Sequence, residues 1–155
     1  MTRDEFIAIL DWKEYSYGIE GDKIVVTEED QDIFLSHTSI PPDVVFNNVR
    51  DVWLNSLTSL PPGVEFRNRG RVYLWKLKTL PPDVVFRNGG YVNLIALTSL
   101  PPGVVFNNLG DVALNSLVGG WFENWKGNIG GIGSKRLLIG SKRLLNLMIK
   151  RGMFI

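Results

Sequence analysis

Residues 41–120 are four copies of one 20-residue unit, joined without insertion or deletion: PPDVVFNNVRDVWLNSLTSL, PPGVEFRNRGRVYLWKLKTL, PPDVVFRNGGYVNLIALTSL and PPGVVFNNLGDVALNSLVGG. A unit this small cannot bury an apolar face alone and must do so against its neighbours, so the period commits the chain to a solenoid. Two apolar pairs recur in every copy. Val44, Val64, Val84 and Val104 are each followed two residues on by Phe46, Phe66, Phe86 and Phe106; Val52, Val72, Val92 and Val112 are likewise followed by Leu54, Leu74, Leu94 and Leu114. Alternation with period two puts both members of a pair on one face of a strand. Each coil is therefore predicted to hold two short strands, and stacking them gives two narrow parallel sheets that face each other.

The rest of the unit reads as corners and a third side. Asn48, Asn68, Asn88 and Asn108 follow the first strand, and Gly70, Gly90 and Gly110 follow them. These residue types tolerate a left-handed backbone, and stacked Asn amides can bond from coil to coil. On the third side Leu57, Leu77, Leu97 and Leu117, with Leu60, Leu80 and Leu100, are expected to point inward. The Pro-Pro pairs beginning at 41, 61, 81 and 101 impose an extended segment that cannot donate to a ladder.

The LTSLPP, VVFNN and DVxL elements resemble leucine-rich repeat proteins, and more closely the short L-T-S-L-P-x-G-V-type repeats of phage and bacterial proteins. The spacing of Leu57 and its equivalents after the second strand departs from the usual leucine-rich signature, which leaves both a curved horseshoe and a straighter β-solenoid open. The resemblance covers roughly residues 33–120. It implies a partner-binding scaffold with no catalytic residues, and in its sharper form a phage protein that binds and blocks a host defence factor.

The expected fold is mainly β: solenoid repeats over 33–120 between an N-terminal helix-hairpin cap (1–32) and a C-terminal cap (121–155). Thr2 and Glu5 fit a capping box that opens a helix burying Phe6, Ile9 and Leu10. Two strands around Glu20-Gly21-Asp22 form a hairpin. Residues 24–40 read as a worn first coil, one residue short, with Ile24 and Val26 for the first pair and Ile33 and Leu35 for the second. His37 falls at the place of Leu57, and one histidine without cysteine or spaced carboxylates makes no metal site. At the far end Trp121, Phe122 and Trp125 are placed to plug the core. A helix is expected from Ser134 to about Arg151, its leucine face inward and Lys135, Arg136, Lys142 and Arg143 outward.

Charge is segregated: residues 1–32 hold ten acids and three bases, residues 33–120 five and seven, residues 121–155 one and seven. Solvated caps and electrostatic docking both account for it. There is no cysteine. The first residues carry acids where a secretory signal carries bases, and no apolar run approaches a membrane span, so a cytoplasmic protein is expected. No nucleotide-loop, nucleophile-elbow, zinc-protease or calcium-loop pattern occurs, which points away from an enzyme and from any cofactor.

Function is therefore sought where the copies differ and point outward. On the second strand Trp53, Arg71, Tyr73, Trp75, Tyr91 and Ile95 are expected to form one exposed patch of the residue types that dominate interface hot spots. The first strand's outward set, Val45, Glu65, Val85 and Val105 with Asn47, Arg67, Arg87 and Asn107, is blander. The expected function is protein binding through the second-strand face. The alternatives are self-association through oppositely charged ends and membrane or nucleic-acid binding through the basic helix.

Overall fold

The computed structural model describes residues 1–118, with 137–139, 146, 149 and 150. One helix, α1 (Arg3–Trp12), opens the chain. The strands that follow are β1 (Tyr17–Glu20), β2 (Lys23–Val26), β3 (Ile33–Phe34), β4 (Val44–Phe46), β5 (Val52–Trp53) and β6 (Glu65–Phe66). Then come β7 (Val72–Tyr73), β8 (Val85–Phe86), β9 (Val92–Asn93), β10 (Val105–Phe106), β11 (Val112–Leu114) and β12 (Leu137–Ile139). They form two six-stranded sheets ordered β1-β2-β4-β6-β8-β10 and β12-β11-β9-β7-β5-β3. All pairings are parallel except the hairpin β1–β2. The chain is thus mainly β, a parallel solenoid of about four turns with a helix at its start.

The core lies between the sheets. Phe46, Phe66, Phe86 and Phe106 are fully buried and stack as a ladder, with successive ring centroids 5.4, 5.2 and 5.1 Å apart and planes within 12° of parallel. Val52, Val72, Val92 and Val112 and the leucines of the second strand and third side close the core around them.

The first coil keeps the 20-residue length but redistributes it. Ile24 pairs with Val44, an offset of 20, whereas Ile33 pairs with Val52, an offset of 19. Its corner is one residue longer and the leg after β3 one shorter, which is how the coil reads as short from its second strand onward. Glu28 takes the place of Asn48 at this corner. Its buried carboxylate accepts from the Ser16 and Asp30 amides at 2.9 and 3.0 Å, and the Ser16 amide is the main reason its pKa is lowered. Thr2 and Glu5 form the capping box of α1, and Phe6 and Leu10 pack on the first coil, with Ile9 half-buried.

The left-handed residues are not at the Asn-Gly corner. Within the repeats they follow the Pro-Pro pairs: Asp43 (φ 60°), Gly63 (77°), Asp83 (63°) and Gly103 (78°). A side chain at Gly63 would sit on the Asp43 carboxylate, and one at Gly103 on that of Asp83. Aspartate and glycine therefore alternate along this corner, a two-coil period laid over the one-coil period. Gly70 is needed for a different reason: a Cβ there would come within 2.6 Å of the Arg50 carbonyl carbon. Asn68, Asn88 and Asn108 bond to backbone carbonyls of their own coil and the preceding one, as Asn68 Nδ2 does to Arg71 and Arg50 at 3.1 and 3.2 Å, whereas Asn48 bonds to Arg50 of its own coil.

Two further expectations are corrected. Val45 points outward from β4 yet is buried, because Lys23 on β2 reaches Glu65 on β6 at 2.6 Å across it, and Arg67 also pairs with Glu65. The helix expected over 134–151 does not begin at Ser134, since Leu137–Ile139 is strand β12, parallel to β11. The backbone groups of β11's free edge gain partners from a strand and none from a helix, and that outweighs helical periodicity. Asn146, Ile149 and Lys150 are helical; Trp121, Phe122, Trp125, Lys135, Arg136, Lys142 and Arg143 lie outside the described residues.

Phe86→Ala removes a ring stacked on both sides and should cost about 3–5 kcal/mol, read as a fall in chemical-denaturation midpoint. Gly63→Asp should cost about 1–3 kcal/mol through collision with Asp43, although aspartate adopts the same φ one coil earlier. Asp43→Gly should cost clearly less in the same assay.

Candidate functional site

The outward positions of the second sheet form a column in which β3, β5, β7, β9 and β11 supply Phe34, Trp53, Tyr73, Asn93 and Ala113. Parallel strands repeat every 4.8 Å or so, a spacing that suits stacked rings. Phe34 and Trp53 stack at 5.6 Å, and Trp53 and Tyr73 at 3.8 Å with planes 14° apart. Trp75 stands edge-on to both Trp53 (6.3 Å) and Tyr73 (6.1 Å), and Tyr91 meets Tyr73 edge-on at 6.1 Å.

The six residues expected to form one exposed patch thus do come together, but they are not equally exposed. Trp75 and Ile95, at equivalent places in adjacent coils, are 43% and 39% exposed, and Arg71 is exposed. Trp53 and Tyr91 are half-buried. Tyr73 is only 9% exposed, enclosed by the rings of Trp53, Trp75 and Tyr91 rather than by α1 or the hairpin. Arg71 donates to the Tyr73 hydroxyl at 3.3 Å, and this bond, with the charge of nearby Asp51, raises its pKa above the ordinary value. Burial, and then Tyr73 and Asp111, raise the Tyr91 phenol above its ordinary value.

Phe34 is the residue that inspection of the repeats missed. It is 51% exposed and begins the column. The signal was available, because Phe34 stands between Ile33 and Leu35 as Trp53 stands between Val52 and Leu54. Beside it is a hollow of about 180 Å³ lined by Lys13, Phe34, Leu35, Ser36, Trp53, Asn55 and Ser56. Trp53 Nε1 and Asn55 Oδ1, both buried, have no hydrogen-bond partner among the described residues.

On the other sheet a larger cleft of about 480 Å³ runs between Gly63 and Arg87, with Val85 and Arg67 among its walls. It begins where the Lys23–Glu65 bridge ends. Guanidinium and carboxylate groups balance along it, so it favours no one charge.

Comparison with known protein families, curated proteins and solved structures finds no match. Among the described residues no group of three histidine or carboxylate side chains could hold a metal ion, and no helix is long and apolar enough to cross a membrane.

The unequal exposure separates packing from surface. Tyr73→Ala should lower the melting temperature by several degrees, because an enclosed aromatic truncation costs about 3 kcal/mol. Trp75→Ala should leave it within a degree or two, measured by thermal circular dichroism.

Proposed function

We propose that the chain is a non-enzymatic, leucine-rich-repeat-like scaffold that binds another protein through the outward face of β5, β7 and β9. The observation that carries this reading is the pairing of exposed Trp75 and Ile95 on adjacent coils, continuous with Trp53 and Tyr91 and edged by Arg71. Large apolar side chains grouped on one face mark interaction sites, and Trp, Tyr and Arg are the usual anchors. Stacking also favours a protein over single-stranded nucleic acid. The faces of Trp53 are covered by Phe34 and Tyr73, which leaves no row of open rings for bases. In its sharper form, carried by the repeat resemblance alone, the partner is a host factor that a phage protein blocks.

The test is affinity capture from bacterial lysate followed by quantitative binding to the captured protein. Trp75→Ala should weaken that complex about thirtyfold, the equivalent of about 2 kcal/mol, with the fold intact. Unchanged binding by a Trp75→Ala, Ile95→Ser variant would move the binding face elsewhere.

A further inference from the structure

The corner that joins the two sheets carries a charge gradient that complements itself when reversed. Backbone bonds set the rows: the amides of Val49, Arg69, Gly89 and Leu109 donate to the carbonyls of residues 28, 48, 68 and 88. Glu29, Val49 and Arg69 are therefore equivalent in successive coils. The first corner presents Glu29, Asp30 and Asp32, the second Val49, Arg50 and Asp51, and the third Arg69, Gly70 and Arg71. Glu29, Asp30, Val49, Arg50, Arg69 and Arg71 are all exposed. Negative charge thus turns to positive over two coils, roughly 10 Å.

None of these charges is spent in an ion pair among the described residues, where the ion pairs join Lys23 and Arg67 to Glu65. Asp32 and Asp51 use one carboxylate oxygen each to accept the amide of the next coil, from Asp51 at 3.1 Å and Arg71 at 2.7 Å. The gradient is built into the corner's hydrogen bonding. Its midpoint, Val49, is an apolar residue 37% exposed.

We infer that a second copy of this chain docks antiparallel on this corner, with Val49 against Val49 on a twofold axis and the acidic first corner of each copy against Arg69 and Arg71 of the other. Antiparallel placement matches both ends of the gradient at once, and each copy brings one charge of each sign, Arg50 and Asp51, to the centre. A twofold arrangement is closed, so assembly stops at the dimer. The contact is narrow and polar, which makes it a weak, salt-sensitive association. It adjoins the face of Trp75 and Ile95 and shares Arg71 with it, while Glu29, Val49 and Arg69 belong to the corner alone.

Sedimentation velocity across a concentration series, with wild type at low salt and at about 1 M salt where charges are screened beyond about 3 Å, reads it directly. A monomer–dimer equilibrium at low salt that shifts at least tenfold toward monomer at high salt is expected. Glu29→Arg and Arg69→Glu should each abolish the dimer while leaving the circular dichroism melt unchanged, and the double exchange should restore it because opposite charges again face each other. A wild type that stays monomeric, a dimer that survives either single exchange, or a double exchange that remains monomeric overturns the inference. A dimer lost on Trp75→Ala, Ile95→Ser but kept on Arg69→Glu overturns it too, and assigns self-association to the aromatic face. Partner capture that persists in a monomeric Arg69→Glu variant leaves the protein-binding reading standing by itself.

Discussion

Everything in this protein hangs on registration between one coil and the next. Its solenoid strands are two to four residues long, and a strand that short has no stability of its own. Its hydrogen-bond partners lie 18 to 21 residues away, in the neighbouring coil, as when the Arg67 amide meets the Phe46 carbonyl at 2.7 Å. A coil of different length would break both sheets at once. The first coil shows how little freedom this leaves: it gains a residue at one corner only by losing one on the next leg, so that Val44 still falls beside Ile24. The phenylalanine ladder follows from the same constraint, since equal offsets bring identical rings to about 5 Å, where flat stacking fills the core without gaps.

Identical neighbours also create conflicts, and the sequence departs from strict repetition where it must. Four aspartates in a row after the prolines would set each carboxylate into the next residue's Cβ and against a like charge. Alternating Asp43, Gly63, Asp83 and Gly103 removes both problems while keeping a left-handed residue in every coil. On the outer face of the first sheet a run of valines is interrupted by Glu65, which gathers Lys23 and Arg67 and shields Val45.

How much of this was legible in the sequence follows from which interactions are local or periodic. The V-x-F and V-x-L pairs, the inward leucines and the capping box of Thr2 and Glu5 could be read because period and spacing alone specify them. The left-handed places were misassigned to Asn48 and Gly70 because glycine serves two needs, a positive φ and the close approach of two backbones, and only coordinates tell them apart. Leu137–Ile139 read as helix because a leucine pair suits either structure; the decision rests with the free edge of β11, a long-range demand. Of the candidate site, the members could be named from outward positions, but the burial of Tyr73 could not, since it arises among side chains from three coils.

That burial bears on what the face can do. Trp75 stands edge-on to both Trp53 and Tyr73, and those two are stacked on each other, so an exposed indole stands against a pair of packed rings. A side chain already confined loses little rotamer freedom when a partner covers it, a cost otherwise of about 0.5–1.5 kcal/mol per ordered side chain. The scaffold supplies rigidity from its repeated interior, and the copies differ where rigidity is worth most, on outward positions that change without touching the ladder. The same economy applies at the corner. Arg69 and Glu29 extend from backbone whose register is set by hydrogen bonds between neighbouring coils, Arg69 to Asn48 and Val49 to Glu28, so the spacing of their charges is inherited from the stack and their signs alone remain free to vary.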